Sequence, residues 1–331
     1  MDLALFYYLL LGFAVLMYVV LDGFDLGLGI LYPWFKSEAE RDHMMRSISH
    51  VWDGNETWLV FGGVVLFAAF PAAYAGILAT LYTPIIIMLI GLIFRGVAFE
   101  YRFKSHRSKP WWDLSFFLGS TVATFCQGAI LGAVVQGVEA GPGELGALEW
   151  LSPFSIFTGF ALMVAYALLA CCYLVMKSRG DIMARAAHLG RQLVLAIMAI
   201  LVVVSLWTLL ANTEVRTRWL DGLNFLWLSP LPLLSALFGW LLYRDLDGQP
   251  HETRPFWLAV GLFLLGFIGL VVGLFPYLIP HQMTLWDARA PDSSLLFLLP
   301  GIFIFLPLIC AYTLWGYRIF SGKVEDFEEG Y

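Results

Sequence analysis

Acidic residues that could carry a proton or an ion are the most informative feature of this chain. Asp22 and Asp25 lie inside the first long apolar stretch, Asp53 begins the second, and Glu100 ends the third. An ionisable side chain at bilayer depth is costly, and membrane proteins usually keep one for a proton, ion or substrate path. Because residues i and i+3 share one face of a helix, Asp22 and Asp25 should point the same way. The sequence therefore predicts an inlet lined by these four acids.

Arg95 gives the same acids a structural interpretation. It is the basic residue that falls inside a predicted span, and an acid from a neighbouring helix would neutralise it. Asp22 and Asp25 are candidates for that pairing. Glu100, at the end of the same helix, is either a partner of Arg95 or a solvated residue. The sequence leaves the functional and the structural role of Arg95 open.

The start of the second apolar stretch carries two further signals. Asp53 and Glu56 have the spacing of a capping box, which satisfies exposed N–H groups at a helix start and is compatible with proton uptake. Trp52 and Trp58 are typical of an aromatic belt at the membrane interface. We therefore expect Glu56 and Trp52 to support the site rather than to form it.

The composition is that of a membrane protein with many spans. The chain has 331 residues, of which 60% are hydrophobic and 13% charged, and its mean hydropathy is +0.79. These values exclude an ordinary soluble domain. The first apolar stretch is long enough to span the bilayer and lacks a basic segment before it, so we expect no cleavable signal peptide. Membrane lipid is an expected partner and nucleic acid is not.

The apolar segments predict nine spanning helices in one integral-membrane domain, residues 1–331. A spanning helix needs about 20 mostly apolar residues. Such segments lie near 3–31, 54–72, 74–98, 114–137, 154–176, 190–211, 225–243, 254–275 and 295–319. Pro71 suits a tight turn between the second and third spans. Gly23 and Gly27 form a small-residue seam that predicts close approach of another helix.

The distribution of Lys and Arg predicts the orientation. Fifteen of the 19 lie in one set of loops, including a run from Arg102 to Lys109, whereas three lie in the opposite loops. Cytoplasmic loops carry the excess of these residues, so nine spans place the N-terminus in the periplasm and the C-terminus in the cytoplasm. Asp22 and Asp25 then lie about 8 and 12 Å on the cytoplasmic side of the midpoint of a 3–31 helix. The acidic stretch 324–331 is expected to be solvated.

The chain offers no recognisable redox, metal or nucleotide site. All six histidines fall in predicted loops or at span ends, so none occupies the mid-membrane position of a haem ligand. The four cysteines are scattered in apolar stretches without C-x-x-C spacing and are expected to be small buried residues. Phosphate-binding and zinc-protease motifs are absent from the sequence. We predict no catalytic residue, metal ligand or bound cofactor in this chain alone.

Four segments together resemble subunit II of cytochrome bd-type quinol oxidases. They are Asp22-Gly-Phe-Asp-Leu-Gly27, Trp52-Asp-Gly-Asn-Glu-Thr-Trp58, Leu66-Phe-Ala-Ala-Phe-Pro71 and Phe94-Arg-Gly-Val-Ala-Phe-Glu-Tyr-Arg102. The likeness is dense over the first third of the chain and looser beyond it. The short chain and compact loops look most like the cyanide-insensitive branch.

The resemblance implies a fold, partners and cofactors. Members of the family have nine helices arranged as two four-helix bundles plus a peripheral helix, and they pair with a haem-bearing subunit I in the bacterial cytoplasmic (inner) membrane. The complex oxidises ubiquinol or menaquinol and reduces oxygen to water. Two haems b and one haem d belong to subunit I. A structural quinone and a small single-span subunit are further expectations of the resemblance.

The resemblance also implies roles for the acids. Family members route cytoplasmic protons partly through subunit II, and the aspartates of the D-G-F-D and W-D-G-N motifs correspond to Asp22, Asp25 and Asp53. Family members often have Asp in the F-R-x-x-x-F-D-Y motif where this chain has Glu100, so the chemistry is retained with a longer side chain.

Three functions follow as hypotheses. The first is a non-haem oxidase subunit that serves as scaffold and proton inlet. The second is a proton- or cation-coupled transporter or channel that uses Asp22, Asp25 and Asp53, although the acids cluster towards one side and paired broken helices are not evident. The third is a scaffold whose acids only pair with Arg95.

Overall fold

The computed structural model describes residues 2–137, 148, 150–211, 213–248 and 251–324. Most of the predicted loop near 138–153, and nearly all of the predicted acidic end at 324–331, lie outside these residues. Six helices make up the first half: α1 Leu3–Leu31, α2 Glu38–Ile48, α3 Trp52–Ala69, α4 Pro71–Arg102, α5 Lys109–Gln136 and α6 Pro153–Lys177, with a short 3-10 turn at Tyr32–Trp34.

The second half contains seven more helices and a hairpin. The helices are α7 Gly180–Ala211, α8 Thr213–Leu220, α9 Asn224–Leu228, α10 Pro230–Asp245, α11 Arg254–Leu274, α12 Leu285–Ala288 and α13 Asp292–Ile319. Between α11 and α12, β1 (Tyr277–Ile279) pairs antiparallel with β2 (Met283–Thr284). This hairpin departs from the all-α prediction, because the predicted loop near 276–294 has a short ladder of its own.

Helix ends follow local sequence signals. The Asp2 side chain accepts a hydrogen bond from the Leu5 amide at 3.2 Å and caps α1, and Ser37 with Glu40 forms a capping box at α2. Such caps satisfy N–H groups that a helix start leaves unpaired. Proline occupies the first turn of α4, α5, α6, α10 and α11, where its fixed φ suits the helix and its missing N–H costs nothing.

Within the described part of the chain, eight helical segments are long and apolar enough to cross a membrane. They match eight of the nine predicted spans, with shifted ends: the predicted 74–98 span is α4, and the predicted 225–243 span is α9 and α10 in succession. The predicted second span, 54–72, is α3, which has 18 residues and contains Asp53 and Glu56. The boundary between α3 and α4 lies at Phe70, because Pro71 begins α4. The count of nine spans stays a prediction.

Close packing of α1 on α6 forms the centre of the molecule. A Cβ added to Gly27 would lie 2.0 Å from the backbone oxygen of Tyr166, and one added to Gly23 would lie 2.8 Å from the Tyr166 ring. The predicted small-residue seam is therefore confirmed, since only glycine permits this approach. The run 165–175 of α6 is buried on all sides, which is typical of a central helix.

Candidate functional site

The predicted pairing of Arg95 with an acid of a neighbouring helix is confirmed. Its Nη1 donates to Asp22 Oδ1 at 2.7 Å, and its Nη2 donates to Glu56 Oε1. The side chains of Arg95 and Asp22 are fully buried, whereas that of Glu56 is 28% exposed. One guanidinium of α4 thus links carboxylates of α1 and α3, and Glu56 is the member nearest to the surface.

Asp25 has a different environment from Asp22, three residues away. Asn55 Nδ2 donates to Asp25 Oδ2 at 2.7 Å and also approaches the backbone oxygen of Leu21 at 3.2 Å. The Tyr317 hydroxyl donates to Asn55 Oδ1 at 2.9 Å and so fixes the orientation of the amide. Asp25 is fully buried, and its described hydrogen-bond donor is this uncharged amide.

This group contains more acids than cations. We call Asp22, Asp25, Glu56 and Arg95 the Arg95 cluster; it contains three carboxyl groups and one cation. Among the described residues, Asp22 Oδ2 and Asp25 Oδ1 are buried without a hydrogen-bond partner. Buried carboxylates without compensation are costly, and the single cation of this cluster does not balance its three carboxyl groups.

Asp53 and Glu100 lie outside this cluster. Asp53 is exposed in the first turn of α3, and Glu100 is exposed and pairs with Lys104 at 3.3 Å, four residues along the same helix. Glu100 is therefore a solvated residue and not the partner of Arg95. The structure brings two of the four predicted acids together at the Arg95 cluster and leaves the other two on the surface of the chain.

The predicted capping box at α3 is wrong. The N-cap residue is Val51, which caps with no side chain, and Asp53 Oδ1 accepts from the adjacent Gly54 amide at 2.8 Å. The helix begins one residue before Asp53, and Glu56 Oε1 accepts a hydrogen bond from Arg95 Nη2 instead of serving the helix start. Glu56 therefore belongs to the cluster itself, whereas the sequence predicts only a supporting role for it.

The two tryptophans of α3 differ from the aromatic-belt prediction. Trp58 is fully buried and packs edge-on against Phe13, with ring centroids 5.6 Å apart. Trp52 is half-buried and stacks on Phe99 of α4 at 4.9 Å. Trp52 therefore supports the site by fixing α3 against the helix that carries Arg95, whereas Trp58 belongs to the packing between α1 and α3.

A second ionic group, which sequence reasoning missed, joins the ends of α2, α4 and α5. Arg102 Nη1 donates to Asp42 Oδ1 and Arg102 Nε to Asp113 Oδ1, each at 2.5 Å. Arg41 pairs with Asp113 at 3.0 Å, and Lys109 pairs with Asp42 at 3.2 Å and with Glu38. The Arg102 cluster is these six residues: Glu38, Arg41, Asp42, Arg102, Lys109 and Asp113.

The Arg102 cluster changes the interpretation of the basic run. The Arg102 side chain is fully buried, and its guanidinium lies 5.8 Å from the centre of the Tyr32 ring. A topology signal alone would leave it solvated. Its partner Asp42 is 60 residues away in the chain, so no local spacing could have indicated the pair.

The remaining chemistry-bearing residues do not assemble into a site. No group of three or more His, Cys, Asp or Glu side chains within the described residues could hold a metal ion. Three of the four free cysteines are buried, as predicted, and Cys310 is half-buried. His50, in the turn before α3, stacks on Phe320 at 4.1 Å, and burial lowers the pKa of its imidazole.

Comparisons with known proteins agree on one family. The family model described as cytochrome bd terminal oxidase subunit II matches residues 3–320. Cytochrome bd-I ubiquinol oxidase subunit 2 of Escherichia coli K12 is 28% identical and aligns with 97% of this chain and 96% of its own length. Cytochrome bd ubiquinol oxidase subunit 2 of Bacillus subtilis 168 is 26% identical, with 93% of each covered.

A solved structure shares the fold. The bd oxidase from Geobacillus thermodenitrificans contains a chain that superposes with a TM-score of 0.75, covering 97% of this chain and 99% of that one. Its sequence identity is 18%, so this comparison concerns the fold alone. The arrangement of helices described above is therefore that of a chain in a bd oxidase.

Proposed function

This chain belongs to the cytochrome bd terminal oxidase subunit II family, and we propose that it serves its oxidase as scaffold and as cytoplasmic proton inlet. It is a multi-pass protein of the bacterial inner membrane and a subunit of a quinol oxidase complex that also contains a subunit I. The transporter or channel that Asp22, Asp25 and Asp53 could have formed finds no support, because the match covers an oxidase subunit over nearly the whole chain.

The Arg95 cluster carries the proposal of a proton inlet. Reduction of oxygen to water consumes protons, and the cluster provides carboxyl groups in series from half-buried Glu56 to fully buried Asp22 and Asp25. The excess of carboxyl groups over cations lets a proton enter and leave at low electrostatic cost. Exposed Asp53, in the first turn of α3, collects protons at the surface.

We propose that the chain crosses the membrane nine times, with α3 and the α9–α10 pair each counted as one span. The loop bias of Lys and Arg then places the N-terminus in the periplasm and the Arg102 cluster at the cytoplasmic surface. The helices divide into two four-helix bundles and a peripheral helix, as the resemblance implies. A fluorescent reporter that folds only in the cytoplasm, fused after Tyr331, should be bright; an active periplasmic phosphatase fusion there would contradict this orientation.

We propose that the two haems b and the haem d of the complex reside in subunit I. The prediction that all six histidines lie in loops or at span ends holds for four of them, whereas His43 lies in the middle of the short helix α2 and His188 about two turns inside α7. None lies at the middle of a spanning helix, where a haem ligand is expected. Half-buried Glu56 and the exposed residues Val60 and Val64 lie on one face of α3. Subunit I covers this face, because a carboxylate that faced lipid would be costly. The structural quinone, the small single-span subunit, the quinol type and the cyanide-insensitive branch stay predictions.

Purification with the natural partners tests the assignment. The reduced-minus-oxidised spectrum of the complex should show haem d together with a second large subunit. The chain expressed alone should give no stoichiometric haem in a pyridine hemochrome assay. Haem bound at one or more equivalents by the isolated chain would contradict the placement in subunit I.

Asp25→Asn in the assembled complex tests the inlet. Asparagine keeps the hydrogen bond from Asn55 but cannot titrate, so quinol oxidation and proton uptake should slow about tenfold or more, within the range of a single acid–base group. Haem content should stay normal. Asp53→Asn is the matched control and should slow turnover less than about twofold, because nearby water can supply protons at the surface. Normal turnover of Asp25→Asn would remove Asp25 from the path.

A further inference from the structure

A glutamine lies between two tyrosines close to the Arg95 cluster. Gln127 of α5 donates from Nε2 to the Tyr18 hydroxyl at 2.7 Å and accepts at Oε1 from the Tyr166 hydroxyl at 3.1 Å. Tyr18 precedes Asp22 by one helical turn, so the two side chains share one face of α1. Tyr18 therefore lies between Gln127 and the helix face that carries the Asp22 carboxyl group.

The glycine of the D-G-F-D motif makes room for one of the two tyrosines. Gly23 has no side chain, which lets the Tyr166 ring lie directly against α1. Tyr166 is fully buried, and its O–H is satisfied by Gln127 Oε1. With that oxygen occupied, the amide presents its N–H group to Tyr18, whose oxygen acts as acceptor.

The hydrogen of the Tyr18 hydroxyl is then left to donate elsewhere. Asp22 Oδ2 is a fully buried carboxylate oxygen without a hydrogen-bond partner among the described residues, and it belongs to the nearest acid along α1. We propose that Gln127 is a positioning residue that turns the Tyr18 O–H towards Asp22 Oδ2.

This arrangement divides the work between the two aspartates, and it rests on the proposed function of the cluster as a proton inlet. Asp22 receives donors from Arg95 and Tyr18, which both favour its charged form. Asp25 receives the uncharged amide of Asn55. Asp22 acts mainly as the counter-ion of Arg95, and of the two aspartates Asp25 is the one that exchanges protons more readily.

Charged and titratable groups face Asp22 from several elements. They come from α4, α3, α6, α13 and α1 itself, and they are Arg95, Glu56, Tyr166, Tyr317, Asp25 and Tyr18. Tyr18→Phe removes the proposed donor to Asp22, and with it the acceptor of Gln127 Nε2, while leaving Arg95 and Glu56 in place.

The test is the pH profile of quinol-dependent oxygen consumption in the purified complex. Tyr18→Phe and Gln127→Met should each move the acidic limb to higher pH by about one unit, the size expected of one hydrogen bond to a charged group. Both variants should retain normal haem content. Tyr7→Phe is the control, because it removes another buried hydroxyl of α1, bonded to the Leu295 oxygen at 2.6 Å, and should leave the profile unchanged.

Three outcomes would overturn a claim, and they are distinguishable. An unchanged acidic limb in both Tyr18→Phe and Gln127→Met, with haem retained, removes the positioning role of Gln127. An equal shift in Tyr7→Phe also removes it, because the shift then reflects general loosening of α1. Normal turnover of Asp25→Asn instead contradicts the inlet itself and leaves the hydrogen-bond geometry untouched.

Discussion

The Arg95 and Arg102 clusters each hold a fully buried arginine between two carboxylates, yet they differ in charge balance. Three cations face three acids in the Arg102 cluster, whereas one cation faces three carboxyl groups in the Arg95 cluster. Balanced charge at a helix end fixes α2 to α4 and α5. An excess of buried acid is poorly suited to stability, and the proposed proton inlet depends on that excess. The same residue types therefore occur in two clusters with different charge balance.

Removing the cation of the acid-rich cluster should have the largest effect on stability. Arg95→Met leaves the cluster with carboxyl groups alone, and breaking a buried pair in this way costs about 3–5 kcal/mol. The melting temperature of the complex and its yield per cell should both fall. The melting temperature of Arg95→Lys should lie between those of Arg95→Met and the natural protein, because lysine keeps the charge without the contact to two carboxylates. An Arg95→Met complex with unaltered thermal stability would contradict the pairing.

Removing the central arginine of the Arg102 cluster should lower stability less and should leave activity unchanged. Arg102→Met leaves Asp42 and Asp113 with Lys109 and Arg41 as partners and partial access to solvent, so we expect a loss of about 1–3 kcal/mol. Turnover per assembled complex should be unchanged. A large loss of turnover with full stability would show that this cluster also takes part in proton transfer.

The close contact between α1 and α6 can be changed without changing any charge in the Arg95 cluster. Gly27→Ala would place a methyl group 2.0 Å from the Tyr166 backbone and force α1 away from α6, at a cost of about 1–3 kcal/mol for overpacking. Because Asp22 and Asp25 move with α1, turnover should fall along with stability. Gly63→Ala is the control, since its Cβ would meet nothing within 4 Å. Equal behaviour of the two variants would remove the requirement for close approach.

Much of the fold could be predicted because spans, helix starts and close seams have local signals. Apolar length located eight membrane-crossing segments, and Gly23 with Gly27 indicated the tight contact with α6. The hairpin after α11 and the true start of α3, two residues earlier than predicted, have weak sequence signatures, because a short ladder and a shift of one or two residues leave little local signal.

The site could be predicted only in part because its members are distant in sequence. Asp22 and Asp25 were evident as acids at membrane depth. Asn55 and Tyr317 were not, because they are 262 residues apart and only packing of α13 on α3 brings them together. Glu56 was interpreted as a cap since spacing within one helix cannot reveal an arginine on the next.

The most direct test compares Asp25→Asn with Asp113→Asn in the same assembled complex, with turnover per haem and melting temperature measured on both. The account predicts that Asp25→Asn lowers turnover with little change in melting temperature, because the amide of Asn55 still finds an acceptor. Asp113→Asn should lower the melting temperature and leave turnover unchanged, because it unbalances the Arg102 cluster. If both variants lower the same quantity, the two clusters do not differ in purpose and the central claim is wrong.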